Sequence, residues 1–111
     1  MASDDERRKL AAPAHESLLS LAEYLQLSVN IGESVIMMQE CDACCAMYIG
    51  NASRDQSMLV FHGTIAARVA RDIVKRTRAG RNRMEIAGQV FRFVRSAMHF
   101  EDRGAVVFAP A

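Results

Sequence analysis

Residues 33–49 read ESVIMMQECDACCAMYI. The reading of this stretch decides where the chain's three cysteines point. At 100° per residue, Met37, Met38, Cys41, Cys44, Cys45 and Tyr48 fall within an arc of about 120°. Gln39, Glu40, Ala43 and Ala46 lie outside that arc. Gly50-Asn51 follows as a helix stop, because glycine takes the left-handed cap conformation without a Cβ clash. The spacing predicts a helix over 33–49, with its thiols in the middle of the apolar stripe.

Three chemistries compete for those thiols. Unpaired cysteine packs as a small hydrophobe and is among the most buried residue types; burial in the core is the expected role. A zinc site needs four ligands at tetrahedral angles. On a regular helix Cys44 and Cys45 point about 100° apart, and a fourth ligand would have to come from His15, His62 or His99. The Cys-x-x-Cys spacing of "CDAC" suits redox work, but reactive pairs open a helix, where the N-terminus lowers the thiol pKa. Here the pair would lie inside the helix beside Glu40 and Asp42, and carboxylates raise a thiol pKa. A thiol- or metal-dependent protein built on Cys41, Cys44 and Cys45 is therefore the alternative function.

Upstream, Leu18, Leu19, Ala22, Leu25 and Val29 recur at three- and four-residue steps, which predicts a helix over about 14–29, broken at Asn30 and Gly32. Residues 1–12 are dense in charge and read as a flexible arm preceding a single domain over 13–111. The acidic start has no apolar core of the kind a secretion signal requires. No apolar run reaches the roughly 18–20 residues of a membrane helix, so no membrane association is expected. An odd number of locally spaced cysteines suits a reducing cytoplasm. Arginine outnumbers lysine twelve to two, a bias that GC-rich bacterial codons would give. The "NAS" at 51–53 matches a glycosylation acceptor that a cytoplasmic protein would never have modified.

Downstream, "MLVFH" (58–62) reads as a short buried strand. Gly63-Thr64 opens a third predicted helix, over 64–79, with Thr64 as its N-cap and Gly80 as its end. A helix start beside His62 could also hold an anion through free N–H groups. From about 83 to 109 the pattern is an antiparallel meander: alternation around "VFRFVR" (90–95) and turns at Ala87-Gly88 and 101–104. Large side chains on both faces of its middle strand suggest a bulge near Ser96-Ala97. The fold class expected is α+β, with helices over about 14–29, 33–49 and 64–79 covering one sheet face.

Charge is uneven. The net charge is +1, but residues 1–55 carry four basic and nine acidic side chains, and residues 56–111 carry ten and four. Arg68, Arg71, Lys75 and Arg78 follow i+3, i+4, i+3 spacing and form a basic face on the third helix. That face meets either the protein's own acidic half, through residues such as Glu16, Glu23 or Glu33, or an outside partner. Exposed aromatics on "VFRFVR" would suit base stacking, but Phe91 and Phe93 are expected in the core, and the glycine-rich RNA-binding pattern is missing. No nucleophile elbow, zinc-protease motif, P-loop or dinucleotide fingerprint is present. The chain is expected to be a non-enzymatic, cytoplasmic, macromolecule-binding domain. A protein partner or self-association is favoured, nucleic-acid binding through 64–79 is the second alternative, and no cofactor is called for.

Overall fold

The computed structural model describes residues 15–54, 56–100 and 103–111. The architecture is α+β, as the sequence indicates. Helix α1 (Glu16–Ile31) leads into β1 (Ser34–Cys41), β2 (Cys44–Gly50) and β3 (Val60–Ala66); helix α2 (Ala67–Arg76) leads into β4 (Gly80–Ile86), β5 (Gln89–Phe100) and β6 (Arg103–Pro110). All pairings are antiparallel, in the order β3-β2-β1-β6-β5-β4. Two three-stranded meanders thus lie side by side, joined where β1 pairs with β6. The predicted arm over 1–12 lies outside the described residues.

The helix expected over 33–49 is instead the β1–β2 hairpin. The reason is burial on both faces. Val35 and Met37 pack under the helices, while Ile36 and Met38 belong to a second cluster on the opposite face. A strand buried on both faces reads as a continuous apolar run, which periodicity cannot tell from a helix. The helix expected over 64–79 is shorter, because residues 64–66 finish β3. Its N-cap is Ala66, without a side-chain cap, so Thr64 does not cap it. Gly80 opens β4 rather than closing the helix, and Gly50 closes a strand. Gly32 does end α1, in the left-handed conformation, with its N–H on the Ser28 carbonyl.

The C-terminal meander follows the expected outline, with one correction. The β5–β6 register runs unbroken from Phe93 to Phe100, so there is no bulge at Ser96-Ala97. The switch of large side chains from one face to the other has another cause. Phe91 and Phe93 pack under the helices, and Phe100 belongs to the second cluster near the far end of the strand.

The main core joins Leu18, Leu21 and Leu25 of α1 and Ile73 of α2 to Val35, Met47, Phe93 and Phe108 of the sheet. Each such side chain, fully buried, contributes about 1.5–3 kcal/mol. On the other face, Ile36, Met38, Phe100 and Val107 pack with Leu59, carried there by the segment after β2. The two helices are also tied by polar contacts. Ser17 donates its hydroxyl to Asp72, which also accepts from Arg76 Nε at 2.7 Å.

Candidate binding groove and thiol pair

Helix α2 has only ten residues, about 15 Å of length, and it packs on β2 and β3. The helix-facing side of β1, β6 and β5 is therefore uncovered beyond it. The result is an open groove of about 1030 Å³, the upper end of the range for ligand pockets. Its floor is apolar, with Met37, Cys45, Ala97 and Val106; α2 forms one wall through Ala70, Arg71, Val74 and Lys75. The β1–β2 turn brings Cys41 and Asp42 to one end, and His99 stands on the β5 side.

The predicted basic face divides in two. Arg68 faces Glu16 at 3.4 Å, with both side chains mostly in solvent. Arg78 lies beyond the end of α2 and donates through Nε to the Arg81 carbonyl at 3.0 Å. The side chains of Arg71 and Lys75 make no hydrogen bond or ion pair with any described residue, and both line the groove. The docking of basic stripe on acidic half is thus real at Glu16, while Glu23 and Glu33 form no ion pair with it. Elsewhere on the rim, Glu40 is neutralised by Arg103 Nη1 at 2.9 Å. The groove carries a net positive wall over an apolar floor.

The three thiols are not one stripe. Cys45 is buried on the helix-facing side, where burial pushes its pKa up and Arg71 acts in the opposite sense. Cys44 precedes it on the strand and so points to the other face. A register shift between Gln39 and Cys41 sets Cys41 directly opposite Cys44, with the two Sγ atoms 2.9 Å apart. Cys41 is exposed and Cys44 half-buried. The expectation of three packed thiols holds for Cys45 alone. Among the described residues, no group of three or more His, Cys, Asp or Glu side chains is placed to hold a metal ion.

Other candidates fall to geometry. Phe91 and Phe93 are buried, so bases cannot stack on them. Gly63-Thr64 lies in β3, with no helix start to hold an anion. His15, Ser17 and Asp72 line a second, smaller pocket. A Ser-His-Asp relay needs the imidazole between the hydroxyl and the carboxylate, and here Ser17 donates directly to Asp72. That contact joins the two helices. No local signal marks His99 or Ala97 as groove residues, because they join Arg71 only through the pairing of the first and last strands.

No protein-family model, curated protein or solved structure matches the chain.

Proposed function

We propose that this is a non-enzymatic binding domain of the bacterial cytoplasm that takes an acidic, amphipathic segment of a partner protein in the groove beside α2. One observation carries the reading: Arg71 and Lys75 are the two members of the basic face without a partner among the described residues, and both stand over an apolar floor. Apolar side chains of the segment would cover Met37, Ala97 and Val106, and its carboxylates would meet the two cations. Charge complementarity of this kind governs register and on-rate more than raw affinity.

Nucleic acid is the weaker reading. Arg68 faces Glu16 and Arg78 is held by a backbone carbonyl, so the predicted track of phosphate contacts shrinks to Arg71 and Lys75. Two contacts would give a salt slope of only about −2 on duplex DNA.

The test uses the Arg71→Glu/Lys75→Glu double variant beside Arg68→Glu. Affinity capture, with and without nuclease, finds candidate partners; direct titration of the captured protein's acidic segment measures affinity. Binding should survive nuclease and Arg68→Glu and disappear in the double variant, whose unfolding midpoint stays near that of the parent. Equal affinity of the parent and double variant would overturn the reading.

A further inference from the structure

We infer that Cys41 and Cys44 form a dithiol site that exchanges with low-molecular-weight disulfides, closing to a cross-link across the β1–β2 turn. This inference does not depend on what the groove binds.

The geometry already favours the bond. Cys41 and Cys44 are Cα partners across the hairpin that Asp42 and Ala43 turn. Directly opposed residues of an antiparallel pair have Cα atoms roughly 4.5–5.5 Å apart, and disulfides span about 4.4–6.8 Å. Their Sγ atoms stand 2.9 Å apart, so closure needs side-chain rotation and little backbone movement. The register shift at Glu40 is what turns Cys41 to Cys44's side of the strand pair. Cys45 is the poorer partner, because it is buried in the core, whereas Cys41 is exposed and directly opposite Cys44.

The environment also divides the labour. Hydrogen bonds, first from the Cys44 thiol and then from the backbone of Ala43 and Cys44, hold the Cys41 thiol below its usual pKa, against the opposing effects of desolvation and, smaller, of Asp42. Cys44 is pushed the other way, first by the same thiol contact and then by burial. The exposed, more acidic thiol attacks first, and the half-buried one resolves. The Cys41 thiolate attacks one sulfur of R–S–S–R, forms Cys41–S–S–R and releases RS⁻. Cys44 gives its proton to solvent, and its thiolate attacks the Cys41 sulfur and releases the second RS⁻. Two electrons pass from the thiol pair to the external disulfide, leaving two RSH and one intrachain bond.

The experiment treats the reduced full chain with glutathione disulfide and reads intact mass and peptide maps over time. The expected product has lost two hydrogens and carries a Cys41–Cys44 cross-link, with Cys45 still alkylatable after unfolding. Cys44→Ser should accumulate one glutathione, on Cys41. Cys41→Ser should form no cross-link and react with glutathione disulfide on the order of tenfold more slowly. Cys45→Ala should behave as the parent. A brief pulse of alkylating reagent on the reduced parent keeps the test independent of variant folding, since Cys41 should be modified first. The inference is overturned by first attack at Cys44 or Cys45, by predominant bonds to Cys45 or between chains, or by a pair that stays reduced in excess glutathione disulfide.

Discussion

The two meanders are built alike and read differently. Each follows a helix, and each begins with a hairpin closed by two residues, Asp42-Ala43 in the first and Ala87-Gly88 in the second. In the first, β1 and β2 lie inside the sheet and are buried on both faces. In the second, β4 is an edge strand, and its Arg81, Arg83 and Glu85 are exposed while Asn82 and Ile86 are buried. The turns differ too. Ala87 and Gly88 both have positive φ, the twist-matched form that leaves a regular register. Asp42 and Ala43 do not, and the first hairpin carries a register shift beside its turn. Alternation in sequence therefore reports a strand's position in the sheet as much as its conformation.

The comparison breaks hardest if the strand joining the meanders is removed. β6 lies between β1 and β5 and pairs with both. Truncation before Arg103 leaves a three-stranded fragment, β3-β2-β1, and a two-stranded one, β5-β4, whose cores are open along one side. Cooperative urea unfolding, followed by far-UV circular dichroism, should be lost. A truncated chain with an unchanged midpoint would show that the meanders stand independently.

Next in size are core truncations that separate two-sided from one-sided burial. Ile36→Ala and Met37→Ala, adjacent in β1 but on opposite faces, should each cost about 2–5 kcal/mol. In β5, Phe93→Ala should cost about 3–5 kcal/mol, and its exposed neighbour Arg92→Ala no more than about 0.5 kcal/mol. Equilibrium urea denaturation measures all four. A negligible effect at Ile36 would mean that the second cluster is not a core.

These contrasts explain what the sequence could say. The second meander was legible because Phe91 and Phe93 alternate with exposed Arg92, and because Ala87-Gly88 marks a turn. The first was not, because Met37, Met38, Ala46 and Met47 are poor strand formers held in strands by their neighbours on both faces. The basic face of α2 was legible as spacing, and its division between Arg68, paired with Glu16, and Arg71, without an ion pair among the described residues, was not. That division depends on Glu16, 52 residues away in sequence. The Cys41–Cys44 pair was hidden by the same error as the hairpin: on a helix the acids beside it count against reactivity, whereas across a turn the two thiols face each other.

A smaller effect tests the turns. At φ +83° Gly88 occupies a conformation that side chains resist, so Gly88→Val should cost about 1–2 kcal/mol. Ala87→Asn should stabilise by about 0.5 kcal/mol, since asparagine tolerates the left-handed region that alanine occupies here at φ 52°. Asp42→Asn, at a turn of negative φ, should leave the midpoint unchanged. Equal responses at the two turns would erase the distinction drawn between the hairpins.

The smallest effect concerns the helices that precede the two meanders. Ser17 of α1 donates to Asp72 of α2, and this bond, followed by that from Arg76, holds the Asp72 carboxyl below the usual aspartate range. A carboxyl whose folded pKa is depressed adds stability that is complete above its unfolded value, about 3.9, and is lost as pH falls through the lower folded value. The window therefore lies wholly on the acid side. Ser17→Ala removes the larger cause of the shift, so its loss of stability relative to the parent should be full at neutral pH and shrink as Asp72 is protonated. Urea midpoints of parent and variant, taken from neutral pH down through the carboxylate range, should converge at the acid end. Parallel curves would mean that Ser17 acts through packing alone, and that the polar tie between the two helices contributes nothing that a proton can remove.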